Sequence, residues 1–228
     1  MNDIEQLPKN KFPKQLLEIP QPPEELYIKG TLPSPDSIFL TVVGSRKYTS
    51  YGKEACEKII SGLRGYNIVI VSGLAIGIDS LAHRAALEAG LKTIAFPGSG
   101  LDPRVLYPAS NAMLARKIIQ SGGALLSEFD EMFQVTPCAF PQRNRLMAGM
   151  SRGVLIIEAG ERSGTLITAR LALEYNRDVF TVPESIFSQN SLGSNRLLTE
   201  GAIPVTSGQD ILEHWGIYEE LETRHKEK

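Results

Sequence analysis

The chain predicts an α/β fold: a doubly wound, mostly parallel sheet with helices on both faces. Three observations point there. From about Ser37 onward, short β-branched runs alternate with helical patterns. Runs such as Ile68-Val69-Ile70-Val71 are apolar without alternation, as expected of strands covered on both faces. The strand-like runs also end in small-residue turns that lead into helices, the layout of parallel strands joined by crossovers.

The elements follow in order. Half of the 14 prolines fall between Pro8 and Pro35, so residues 1–36 are expected to form an extended, partly mobile extension. A strand at 38–43 ends in Gly44-Ser45-Arg46 and precedes a helix at 50–64. A strand at 67–72 ends in Ser72-Gly73-Leu74-Ala75-Ile76-Gly77 before a helix at 78–90. The next, 92–96, leads through Pro97-Gly98-Ser99-Gly100-Leu101-Asp102 to a helix at 110–121. Strand 124–127 is followed by a helix at 143–151, and strand 153–158 by Ser163-Gly164-Thr165 and a helix at 164–175. Strands at 178–182 and 203–205, with helices at 190–200 and 208–215, complete a domain spanning 37–217. The charged stretch 218–228 is expected to be a solvated tail.

Exposed N–H groups at a helix start favour anions, and glycine lets backbone approach a phosphate closely. In doubly wound sheets, ligands bind beyond the carboxyl ends of the strands where strand order reverses. The four glycine turns lie at such ends and should gather on one rim. A series of them suggests a surface that reads a polyanion.

Composition narrows the classes. The 228 residues carry 42% hydrophobic and 22% charged side chains, ordinary values for a globular chain with a real core. A net charge of −2 argues against a histone-like coat of basic residues but permits a local basic patch. Cys56 and Cys138 form neither a metal spacing nor a disulfide framework, so a reduced cytoplasmic location is expected. No signal peptide or apolar membrane span is visible.

Several chemistries lack their signatures. Gly98-Ser99-Gly100 begins a dinucleotide fingerprint, but Pro103 stands where the third glycine belongs. No Walker sequence is present. Gly149-Met150-Ser151-Arg152-Gly153 matches the esterase pattern in the wrong context, leaving a helix and entering a strand. His83, His214 and His225 have no partners at metal spacing, and His83 reads as a packed helix residue. Asp79 and Asp102 read as carboxylates that satisfy backbone donors in a first turn. Phe140-Pro141-Gln142-Arg143-Asn144-Arg145 places an aromatic ring and two guanidinium groups at a helix start, a pairing suited to phosphate and unpaired base. Arg46 puts a long cation at the mouth of the first glycine turn.

Together these segments resemble the DNA-processing protein A family, also called DprA or Smf. The match runs in order over roughly residues 20–215. It takes in Leu26-Tyr27-Ile28-Lys29-Gly30, Val43-Gly44-Ser45-Arg46, Ser72 to Asp79, Gly98 to Asp102 with Tyr107-Pro108 and Asn111, Leu126-Ser127-Glu128, Phe140 to Arg145 and Ser163 to Ala169. The resemblance implies an extended Rossmann fold that binds single-stranded DNA, forms homodimers and helps load a RecA-type recombinase in natural transformation or related recombination. It implies no metal, no cofactor and no catalytic residue. Carried over by position, Gly44, Ser45 and Arg46 line the DNA pocket with Phe140, Arg143 and Arg145. Gly73, Gly98 and Gly164 shape backbone donors around it, with Ser99, Ser163 and Thr165 in the same turns. Three departures stand out: no room for the flanking helical and winged-helix domains of many relatives, Pro183-Glu184 where the family has Pro-Gly, and Pro137-Cys138 where a basic residue would help.

Two rivals remain. A nucleoside monophosphate phosphoribohydrolase of the lysine-decarboxylase-like type shares the glycine–threonine turn, but it needs a glutamate where Thr168 stands, and Glu158 precedes the turn. A protein scaffold without nucleic acid would leave Arg46, Arg143 and Arg145 without phosphate partners.

Overall fold

A computed structural model describes residues 3–218, so residues 219–228 of the expected tail lie outside it. The described residues form nine strands: β1 (Glu5–Gln6), β2 (Tyr27–Gly30), β3 (Ile38–Val43), β4 (Ile68–Ser72), β5 (Lys92–Ala95), β6 (Ala124–Ser127), β7 (Gly153–Ile156), β8 (Asp178–Thr181) and β9 (Ile203–Pro204). Between and around them run α1 (Lys14–Leu17), α2 (Ser50–Ser61), α3 (Ile78–Glu88), α4 (Ala112–Gln120), α5 (Ala139–Met150), α6 (Thr165–Glu174), α7 (Leu192–Thr199) and α8 (Gly208–His214).

All nine strands share one sheet in the order β1-β2-β6-β5-β4-β3-β7-β8-β9. From β6 to β9 every pairing is parallel, while β2 joins β6 and β1 joins β2 antiparallel. Strand order runs outward from β3 in both directions, so the β3–β7 boundary is the point of reversal. Register aligns the carboxyl ends there: Val43 pairs with Ile156, and Thr41 with Val71.

Alternation along β3 builds the two layers. Leu40 and Val42 pack with Ile59, Ile60, Leu81 and Ile211 under α2, α3 and α8. Phe39 and Val43 pack with Leu146, Met150, Ala169 and Ala172 under α5 and α6. Thr41 is buried between them and donates to the Met147 carbonyl at 2.9 Å.

Two expectations change. The proline-rich stretch does not hang free: it supplies β1, α1 and β2, and it buries Phe12, Leu16, Ile19, Leu26 and Ile28 in the main core. The antiparallel pairing of Tyr27 with Ser127 extends the sheet and ties that stretch down. The helix expected at 143–151 starts at Ala139 instead. Pro141 sits in its first turn, where a missing N–H leaves no intrahelical bond unmade.

Candidate nucleic-acid interface

At the β3–β7 reversal the two following loops diverge and leave an open cavity of about 660 Å³. One wall is the loop after β3, with Gly44, Ser45, Arg46 and Lys47. The opposite wall is the loop after β7, from Gly160 and Arg162 into Ser163, Gly164 and Thr165. α5 closes the side with Phe140, Arg143 and Asn144. Thr165 Oγ1 donates to the Gly44 carbonyl at 3.2 Å and bridges the walls. Asn190, from beyond β8, also lines the cavity and donates to the Lys47 carbonyl at 3.2 Å.

The Arg46 guanidinium lies 5.4 Å from the centre of the Phe140 ring, a cation–π contact at the cavity mouth. On its far side is a smaller cavity of about 140 Å³, bordered by Gly73, Gly98 and Tyr107 as well as Arg46, Phe140 and Arg143. A Cβ on Gly98 would lie 3.0 Å from two ring carbons of Phe140, so the ring would have to shift.

The four glycine turns differ in what their donors hold. At the first, Glu158 reaches across from the loop after β7 and accepts from Thr49 N at 2.9 Å and from the Thr49 hydroxyl. Thr49 then caps α2 by accepting from Gly52 N at 3.1 Å. The Glu158 carboxyl packs so close that a Cβ on Gly52 would stand 2.5 Å from Oε2. At the second, Asp79 Oδ2 accepts from Gly73 N at 3.1 Å. Arg143, also buried, donates Nη1 to the Gly73 and Phe96 carbonyls. Burial pushes the Asp79 carboxyl up, and the facing Arg143 charge opposes that shift. A Cβ on Gly73 would collide with both groups. The third turn is closed by its own side chains: Ser99 Oγ accepts from Tyr107 N at 3.1 Å, and Asp102 is paired with Arg104 at 2.8 Å.

The fourth is open. α6 begins at Gly164, which offers no capping side chain, and the first turn holds no acidic residue. A Cβ on Gly164 would meet nothing within 4 Å. Ser163 Oγ accepts from Thr165 N at 3.2 Å, and exposed Arg162 and Lys47 flank the space. A helix start of this kind, with cations beside it and room in front, suits phosphate.

Of the residues expected at the site, Gly44, Ser45, Arg46, Phe140, Arg143, Ser163, Gly164 and Thr165 line the large cavity, and Gly73 and Gly98 the small one. Two stand apart. Ser99 is fully buried and borders neither cavity. Arg145 turns away to Glu128 and to the Gln21 carbonyl at 2.8 Å, so its charge is already met by the protein. Arg143 and Gly73 are reassigned as well. The Arg143 guanidinium is bound by backbone carbonyls, and the Gly73 N–H is committed to Asp79. The premise that a buried arginine needs an external phosphate therefore fails for Arg143. Lys47, Arg162, Asn144 and Asn190 also line the cavity, beyond the residues expected there. Lys47 and Arg162 could have been found, since each adjoins a glycine turn already singled out; Asn190 comes from a distant loop and left no signal.

Ser151 is buried at the end of α5, 2.8 Å from the Thr41 hydroxyl, so the esterase pattern is a packed turn. His83 packs as expected, with Nδ1 2.7 Å from Thr93 Oγ1, and burial lowers its pKa to about 3. Among the described residues, no group of three side chains could hold a metal, and no helix is long and apolar enough to cross a membrane.

Known proteins share this fold. The family described as DNA recombination-mediator protein A matches residues 5–216. Protein Smf of Escherichia coli (strain K12) is 42% identical over 212 residues, covering 90% of this chain and 56% of the relative. The X-ray structure of DNA processing protein A from Streptococcus pneumoniae superposes with a TM-score of 0.84 at 43% identity, covering 92% of this chain and 74% of that one. A Helicobacter pylori DNA processing protein A, whose structure describes a single-stranded DNA binding mode, gives 0.84 at 30% identity, covering 94% and 98%. The chain thus spans little more than half the length of its Escherichia coli relative. On the strength of that match along almost its whole length, the chain belongs to the DNA recombination-mediator protein A family, also known as DprA or Smf.

Proposed function

We propose that this chain binds single-stranded DNA in the cavity at the β3–β7 reversal and acts as a recombination mediator that delivers the strand to a RecA-type recombinase. One observation carries the reading: an acid-free helix start at Gly164 faces a cleft whose mouth holds Arg46 against Phe140. The helix start and the exposed cations of Lys47 and Arg162 suit phosphate, while the Phe140 ring offers a stacking face that only an unpaired base can use. Homodimer formation and a cytoplasmic location belong to the same reading.

The reading includes no catalytic turnover. A phosphoribohydrolase would need a free carboxylate at the glycine–threonine turn. Thr168 occupies that place, and Glu158 is fully buried and committed to Thr49. Incubation with nucleoside monophosphates should release no base, and released base would overturn this part.

The central test is fluorescence anisotropy with labelled oligo-dT at several salt concentrations. Affinity should fall with salt with a log–log slope of about −0.7 per phosphate neutralised. Arg46→Ala should weaken binding at least about tenfold while leaving thermal stability within about 0.5 kcal/mol, because Arg46 is exposed. Unchanged affinity in that variant, or equal affinity for duplex, would refute the site.

A further inference from the structure

We propose that the single strand continues from the cavity across the neighbouring rim and that Phe187 there is a second, outer base-stacking platform. This rests on the proposed DNA-binding reading. Phe187 is 90% exposed and Ile186 75%, the two most exposed large apolar side chains among the described residues. They occupy the loop between β8 and α7, and that loop is fastened at both ends, to the start of α2 and to the cavity wall. Tyr51 Oη, at the start of α2, donates to the Pro183 carbonyl at 2.7 Å. Asn190 donates to the Lys47 carbonyl and itself lines the cavity. Phe187 is three residues from Asn190, so its Cα lies within about 11 Å of a cavity residue.

The rim is suited to bases rather than phosphates. Tyr51, which holds one end of the loop, and Tyr48, next to the Lys47 that Asn190 grips, are 51% and 42% exposed. Every base has a π-face, and stacking on an aromatic side chain tolerates any sequence. The one acid in the loop does not oppose this. Glu184 is half-buried, with Oε1 covered, while Ile186 and Phe187 face out. A second copy of the chain is the weaker occupant. A large aromatic side chain buries about 150–250 Å², so Phe187 and Ile186 alone fall short of the roughly 600 Å² that each partner gives to a stable interface.

The experiment compares Phe187→Ala and Phe187→Tyr with wild type, using labelled oligo-dT of about four and about fifteen residues, and a long oligomer abasic outside its central bases. Single-strand sites of about 4–16 nucleotides bracket these lengths. Phe187→Ala should weaken the long oligo-dT about tenfold, leave the short and abasic probes within about twofold, and be rescued by Phe187→Tyr. Equal affinity of Phe187→Ala and wild type for the long oligomer overturns the outer platform while leaving the cavity intact. A loss confined to the oligomeric state, read by sedimentation, overturns it in favour of a contact between copies. Absence of oligo-dT binding by wild type would remove the underlying reading and this inference together.

Discussion

The starts of α2 and α6 flank the same strand-order reversal, yet one holds a carboxylate and the other faces an open cleft. Glu158 sits on the α2 start through Thr49 and fills the space that Gly52 leaves. At α6, Gly164 leaves that space open to Arg162 and Lys47. The backbone motif is the same: a strand, a small-residue turn and a helix. A glycine turn is therefore an anion site only when the protein has not supplied its own anion. Asp79 makes the same point at the second turn, where Gly73 N is taken.

The filled turns should be responsible for stability and the open one for binding, and substitutions can separate the two. The largest effect is expected at the second turn. Arg143→Ala would leave Asp79 buried without its facing charge and strand two carbonyls, costing about 3–5 kcal/mol. At about 2–4 °C per kcal/mol for a chain of this size, thermal unfolding should show a drop of about 6–20 °C. A drop under about 2 °C would mean that Arg143 is a spare cation for ligand after all. Next comes Glu158→Ala, which leaves Thr49 N and its hydroxyl without acceptors and should cost about 1–3 kcal/mol. Added phosphate should recover part of that loss in the variant and not in wild type, since the emptied α2 start would then resemble α6.

Gly164→Asp sharpens the contrast by converting the open start into a filled one. Gly164 has φ −60° and nothing within 4 Å of a Cβ, so the new side chain fits without strain. An aspartate at this helix start should change stability by well under about 1 kcal/mol. The same carboxylate would repel phosphate, and oligo-dT affinity should fall at least about tenfold. If anisotropy shows unchanged affinity, the α6 start is not where the strand binds.

How much of this could be read in the sequence follows the same line. The sheet was legible because strands buried on both faces, such as Ile68 to Val71, have an unmistakable composition, and because glycine turns mark their ends. The rim residues Gly44, Arg46, Phe140 and Gly164 were legible too, since each lies in or beside such a turn or a basic–aromatic cluster. What the sequence hid was the pairing across distance. Asp79 reads as a carboxylate for backbone donors, and it holds Gly73 N, but nothing local shows that Glu158 reaches Thr49, that Arg143 joins Asp79 over Gly73, or that Glu128 pairs with Arg145. Nor does proline content reveal that residues 1–36 bring enough apolar side chains to join the core, because proline restricts backbone without preventing its neighbours from packing.

The smallest expected effect concerns the filled side alone. Glu184 is half-buried near Glu158, and its backbone N–H is held by Asn195 Oδ1 at 3.4 Å. Burial first, and the Glu158 charge second, push its carboxyl up to about 7 from the ordinary 4.5, with the Ser194 hydroxyl working against them. The native state therefore holds this proton more tightly than the unfolded chain does. The stability it contributes is complete below pH 4.5 and is lost as pH rises toward 7. Partial exposure screens the charge, so the loss should be on the order of 1 kcal/mol. Glu184→Gln removes this proton and the dependence with it. Against wild type, the variant should melt about 2–4 °C higher at pH 8 and at the same temperature at about pH 4. The difference between the two proteins isolates Glu184 from Asp79 and Glu128, whose carboxyls burial also raises. Parallel pH profiles would mean that Glu184 is already solvated and that the filled side of the rim ends at Glu158.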